Sequence, residues 1–195
     1  WLHGLVTSPR PLVEAMTWFW QDHFAVSIAT VGSAVPFARH LSLLRAHALG
    51  DFRSLLRAVT TDAAMLDFLD GAKSTGDAPN ENYGRELLEL YSLGIGNYGE
   101  ADVKAAARAL TGWVVRPRQD YEVTFVRTRH DDAPRTLLGR PVHDVDSVID
   151  AVVAQDACAT FLAGKLAAWF LGPDHDPGLV PGFAKVFRDS GLAVA

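Results

Sequence analysis

Eight side chains have the types and spacings from which a site could be built. Asp22 and His23 sit inside an otherwise aromatic run, TWFWQDHF. Asn82, Arg85, Glu86 and Glu89 recur within one turn of each other in NENYGRELLEL. His130 and Asp131 are adjacent in a charged stretch, RTRHDD. Two carboxylates three residues apart, Glu86 and Glu89, can hold a hard cation or anchor a buried arginine. An imidazole with a carboxylate can move a proton, provided burial shifts one of them toward neutrality. His23, Glu86 and Glu89 are therefore the candidate catalytic groups. Asp22, Asn82, Arg85, His130 and Asp131 are the candidate binding groups. Together they are oxygen and imidazole donors of the kind that zinc, non-haem iron or manganese accepts, so a divalent metal is one possible cofactor. Each also has a plainer reading. His23 can be a satisfied core histidine, Arg85 and Glu89 a surface pair, and His130-Asp131 a hydrogen-bonded turn.

The helix that must carry the second group begins after Pro79, with Asn80 as its cap and Gly94 as its stop. At about 100° per residue, Asn82, Arg85, Glu86 and Glu89 form one narrow polar stripe, and Tyr83, Leu87, Leu88, Leu90 and Tyr91 cover most of the remainder. A helix so patterned is buried on most sides. If Arg85 is structural, its guanidinium should fork onto Glu89 or Asp22. Asp22 and His23 need a second helix, expected from Pro9 or Pro11 to about Ala29. If both helices pack through apolar faces, His23 and Glu86 meet at the seam, with Asn82, Glu89 and His130 on its rim.

The rest of the chain also reads as helices punctuated by caps and glycines. They are expected at about 36–49, 52–59 (Asp51 cap), 63–69 (Thr61 or Asp62 cap), 98–111, 144–154, 157–171 and 179–189. His40 and His47 share one face of the 36–49 helix. Strands are expected only between about Trp113 and Leu138, in WVVR, YEVTFVR and RTLLG, as one small antiparallel sheet. Leu87, Leu88, Leu90, Trp18, Phe19, Phe161 and Trp169 are the expected core. The fold class is mainly α: a multi-helix orthogonal bundle with a small antiparallel β insert at about 113–138, in one domain spanning 1–195.

The run from Asn80 to Trp113 resembles the signature of the bacterial domain-of-unknown-function 1800 family, and TWFWQDHF resembles its other recurrent motif. HALGDFRSLLRAVTTDAAMLDFLDG between them, and His130-Asp131 with Leu138-Gly139 after them, fit in order. The resemblance covers roughly the whole chain. It implies a bacterial and often exported protein, periplasmic or extracellular, of unassigned activity. It also implies a possible partner from a neighbouring sulfatase-like family of unknown function. The chain is expected to be an internal fragment of a longer member.

Composition narrows the classes. With 49% apolar and 21% charged residues the chain is an ordinary globular sequence. A net charge of −5 does not favour a nucleic-acid partner. No apolar run is long enough to span a membrane. The single cysteine, Cys158, excludes an internal disulfide and a multi-cysteine metal site, and its apolar helix marks it as inert core. Zinc-protease, phosphate-loop and nucleophile-elbow motifs are absent. Two classes stay open: an enzyme with a polar, perhaps metal-dependent, pocket, and a non-catalytic helical binding or scaffold module in which the same residues form a buried network.

Overall fold

The computed structural model describes residues 7–194. Its helices are α1 (Pro11–His23), α2 (Ile28–Val31), α3 (Ala34–Ala46), α4 (Phe52–Thr60), α5 (Ala63–Phe68), α6 (Glu81–Leu88), α7 (Glu100–Ala109), α8 (Val145–Val153), α9 (Asp156–Leu171) and α10 (Val180–Asp189). The class is mainly α with small β elements. The starts follow the local chemistry. Asp51, Asp62, Asn80 and Asp144 accept backbone N–H groups of the first turns of α4, α5, α6 and α8, satisfying donors that no intrahelical carbonyl can reach.

The first long helix is shorter than expected. It ends at His23, and α2 follows as a separate turn. Phe24 still donates to the Trp20 carbonyl (2.8 Å), but its own carbonyl is taken by His40. That bond replaces the next helical one and lets the chain leave.

The β part also differs. Instead of one sheet there are two separate antiparallel hairpins. In the first, β1 (Trp113–Arg116) pairs with β2 (Glu122–Phe125), Trp113 opposite Phe125. In the second, β3 (Arg135–Leu137) pairs with β4 (Arg140–Val142), beyond the expected limit at Leu138. Its turn places Leu138 at φ 51° and Gly139 at φ 78°, the geometry a tight two-residue hairpin needs. Leu138 is held there by Asp102, whose Oδ1 accepts its N–H (2.8 Å) while Oδ2 accepts from Gly99 at the start of α7 (2.9 Å).

The core gathers Trp20, Phe24, Phe52, Leu87, Leu88, Val148, Ile149, Cys158 and Leu162, all essentially inaccessible. Leu87, Leu88 and Phe19 are buried as expected, and Phe161 packs against the core. Trp18, Leu90 and Trp169 are not core: they are 44%, 47% and 38% exposed. Trp18 and Trp169 meet edge to face at the surface, ring centres 6.2 Å apart, which shields each without enclosing either. A short seam closes the fold: Phe52 donates to the Leu192 carbonyl (2.9 Å) and Val194 to that of Gly50 (3.1 Å). No single helix among the described residues is long and apolar enough to cross a membrane.

Candidate functional site

The stripe on α6 is where its periodicity put it, with Arg85, Glu86 and Glu89 half-buried and Asn82 exposed. Its partners are not those expected. Arg85 forks onto Glu100 at the start of α7 (2.9 and 2.8 Å), not onto Glu89 or Asp22. This pair is exposed, so it belongs to the surface and anchors no buried network. Glu89 accepts instead from the Tyr98 hydroxyl.

After Leu88 the helix widens into a π turn, Glu89–Leu93. The carbonyls this loosens are taken up by side chains. Ser92 donates to the Leu87 carbonyl (2.6 Å), Asn97 to that of Leu93 (2.9 Å), and His23 Nε2 to that of Tyr91 (3.0 Å). Gly94, at φ 79°, ends the turn. A Cβ there would come within 2.9 Å of the Phe161 ring, so only glycine lets α9 approach this closely.

His23 is therefore a tie between α1 and the end of the α6 segment. Its ring is buried among Phe19, Trp20, Phe24, Phe52, Tyr91 and Phe161. Burial first, and the charge of Lys165 second, bring its pKa down from 6.5 to about 3. The neutral ring has one proton, used on Tyr91, and Nδ1 has no hydrogen-bond partner among the described residues.

Glu86 is near enough to Tyr91 for its charge to act on the phenol. Burial, then Glu89, raises its pKa. Burial, then Glu86, raises that of the Tyr91 phenol. His23 and Glu86 thus both act on Tyr91, one at its carbonyl and ring, the other electrostatically at its phenol.

His130 and Asp131 have a different setting, at the hairpins. His130 bridges the Thr111 carbonyl through Nδ1 (2.9 Å) and the His143 carbonyl through Nε2 (2.8 Å). Asp131 accepts from Arg108 (2.8 Å), from Arg135 and from its own turn at Ala133 N (3.2 Å). None of these partners lies on α1, α6 or α9. The pair pins the hairpins to the end of α7 and is not placed at a rim near His23. Asp22 is exposed, and its charge acts on Lys165. No three His, Cys, Asp or Glu side chains among the described residues are grouped to hold a metal ion. Cys158 is buried, its thiol pushed up to about 12 by desolvation.

What does open to solvent beside the π turn is a cleft of about 700 Å³. Glu89, Leu90, Leu93, Ile95 and Asn97 form one wall; Asp156, Thr160, Phe161 and Lys165 on α9 form the other. Asp156 is occupied by Arg188 (2.6 Å). Lys165 is half-buried with its Nζ 5.4 Å from the centre of the Phe161 ring. No hydrogen bond or ion pair to Lys165 occurs among the described residues; burial lowers its pKa and distant Asp22 only partly restores it. Phe161 touches His23 on its inner side (6.2 Å between centres), so the histidine stands one ring behind the cleft wall. Lys165 was not among the sequence candidates. Its signal was present: it is the lone charge in the apolar run FLAGKLAAWFL, where an amine costs stability unless something uses it.

A family model described as a protein of unknown function, DUF1800, matches residues 1–195. The chain belongs to the DUF1800 family. No curated protein and no solved structure matches this chain. The two stretches that carried the resemblance build much of this cleft's surroundings in this DUF1800 member: TWFWQDHF supplies His23 with Phe19, Trp20 and Phe24 beside it, and the Asn80–Trp113 run supplies Tyr91, the π turn, Gly94 and Glu89.

The depressed pKa of His23 sets a pH dependence. Its folded value, about 3, lies below its unfolded value, about 6.5, so the unfolded chain binds the extra proton between them. The stability held by the neutral ring is present above pH 6.5 and is lost as pH falls toward 3. The expected slope within that window approaches about 1.4 kcal/mol per pH unit for one proton. Urea unfolding of wild type and His23→Gln from pH 7 to pH 4 measures it. The variant should be less stable at pH 7 and should lose this part of the slope; identical slopes would mean that His23 is not buried neutral.

Proposed function

We propose that this domain holds a small-molecule site in the cleft between the π turn and α9, with Lys165 and Glu89 as its reacting polar pair. Glu86 and Tyr91 sit behind Glu89, and His23 positions the wall from within. The observation that supports this most is Lys165: a half-buried amine, open to a cleft, with no charged partner within bonding distance among the described residues. A purely structural lysine on an apolar helix would find a carboxylate or extend into water. Glu89, the carboxyl that shares the cleft with Lys165, supplies the proton-carrying partner such a site needs. We place the protein outside the cytoplasm of a bacterium, on the family resemblance.

The test needs no knowledge of the ligand. A group kept for function at the expense of stability should stabilise when removed. Lys165→Met is expected to raise the melting temperature by about 2–4 °C, the effect of roughly 1 kcal/mol in a chain of this size. It should also erase any thermal stabilisation that a panel of small organic acids, amines and carbonyl compounds gives the wild type. A lowered melting temperature, or a panel acting equally on both proteins, would remove Lys165 from the site.

A second reading, a scaffold module, draws support from the exposed apolar side chains near the end of α9 and on α10. Phe170, Leu171, Phe183 and Val186 are 44% to 69% exposed. In this reading the partner is a protein, and the sulfatase-like neighbour is the one the family resemblance suggests.

A further inference from the structure

We infer that Lys165 is an imine-forming lysine, whose amine adds to the carbonyl carbon of a small aldehyde or ketone lying in the cleft against Leu90, Leu93 and Ile95. The inference rests on the reading of this cleft as the functional site and adds the class of substrate and the bond that forms.

The chain contains four lysines, and their surroundings sort them. Lys73 is paired with Asp70 (2.6 Å) and Lys185 with Asp189 (2.5 Å), both at the exposed surface. Lys104 is exposed, with its charge acting on Glu100. Only Lys165 is half-buried, lies over an aromatic face and is without an ion pair among the described residues. An ammonium beside a carboxylate is held charged, and a charged amine has no lone pair to give. No group facing Lys165 forms such a pair among the described residues, although the charge of Asp22 and the face of Phe161 both favour the ammonium form. Neutral His23 stands behind Phe161, Asp22 on α1 acts only at a distance, and Glu89 on the opposite wall is engaged by Tyr98. Desolvation, which lowers the Lys165 pKa, therefore raises the share of free amine at neutral pH.

The apolar lining favours the same step. Leu90, Leu93, Ile95 and Phe161 offer an apolar surface on which the alkyl part of a small carbonyl compound can rest. The nitrogen lone pair forms the C–N bond, giving a carbinolamine. The former carbonyl oxygen then leaves as water, carrying both protons that the amine has lost, and a C=N bond remains. No oxidant or reductant takes part. Glu89, in the same cleft and hydrogen-bonded by Tyr98, is the carboxyl that would carry a proton to the departing oxygen.

The experiment is competitive reductive trapping on the intact chain. Butanal and cyanoborohydride are added at pH 7 for short times, and peptide mapping reads the alkylation of each lysine. Lys165 is expected to be modified faster than Lys73, Lys104 and Lys185, because it alone is half-buried in the cleft and free of an ion pair among the described residues. Glu89→Gln should slow Lys165 about a hundred-fold if it is the proton carrier, with the other three lysines unchanged as internal standards. Equal rates at all four lysines, or slower modification of Lys165, would overturn the inference. Loss of trapping while the compound panel still discriminates wild type from Lys165→Met would overturn the imine and leave the cleft as a site. Loss of both would overturn the two together.

Discussion

Gly84→Ala is expected to destabilise the protein by about 3 kcal/mol, although alanine is the better helix former by about 1 kcal/mol. The reason is where α6 meets α7. A Cβ on Gly84 would lie 2.8 Å from the Val103 carbonyl oxygen, 2.9 Å from the Ala107 nitrogen and 3.2 Å from the Ala107 Cα. All three are backbone atoms, so no side-chain rotation relieves the overlap. The facing residues on α7, Val103, Ala106 and Ala107, are already small and fully buried. The helices can only separate, which uncovers Leu87 and Leu88 beside them. Denaturant titration measures the loss. A change smaller than about 0.5 kcal/mol, the size of an ordinary surface substitution, would show that the two helices have room to move.

Replacing His40 should cost as much or more. Its ring is inaccessible, with Nδ1 3.0 Å from Asp62 Oδ2 and Nε2 3.1 Å from the Phe24 carbonyl. Both partners are acceptors, so a ring bonded to both donates from both nitrogens. Asp62 Oδ2 also accepts from Ala64 and Met65 at the start of α5 (3.1 and 3.2 Å). One imidazole thus joins the end of α1, the middle of α3 and the first turn of α5. His40→Leu leaves a buried carboxylate without its partner and the Phe24 carbonyl without a donor. Breaking such a pair costs about 3–5 kcal/mol. The double variant His40→Leu with Asp62→Asn should recover part of that loss. It removes the stranded charge and keeps a side-chain oxygen to cap α5. Equal stability of the single and double variants would mean that the Asp62 charge is not what the histidine neutralises.

How far the sequence carried depends on the range of the interaction involved. Asn80, Asp51, Asp62 and Asp144 were readable as caps because a cap bonds within three residues of itself. The polar stripe on α6 was readable because periodicity holds as far as Glu89. It fails at Leu90, which a regular helix would have buried. The π turn widens the spiral there and brings Leu90 out to the cleft. Arg85 was expected to fork, if structural, onto Glu89 or Asp22; it forks onto Glu100 instead, across a helix turn that no spacing rule reaches. For the same reason His40 and Asp62 passed as a helix-face histidine and a cap. Their bond joins two helices and appears only in three dimensions. Three of the four strand segments were placed by composition, but β4 and the division into two hairpins depend on the β3–β4 turn, which composition did not signal. Of the residues the sequence marked, Glu89 lines the cleft proposed as the site and His23 stands behind its Phe161 wall. The sequence did not mark Lys165, one residue in an apolar run that was read as core.

The seam at Phe52–Leu192 and Gly50–Val194 has a consequence for the order of assembly. Helix pairs such as α6 with α7 or α9 with α10 are neighbours in the chain and meet after short loops close. The seam instead ties the segment between α3 and α4 to the end of the described chain. Its closed loop is among the longest of the contacts described above, so its closure entropy is large, and two hydrogen bonds cannot offset it alone. It is therefore expected to form late, once α3, α4, α9 and α10 are docked on the common core. The seam is thus a latch rather than a nucleus. It adds nothing to the speed of the search for the native state, and it keeps the finished arrangement from reopening at the end of α10.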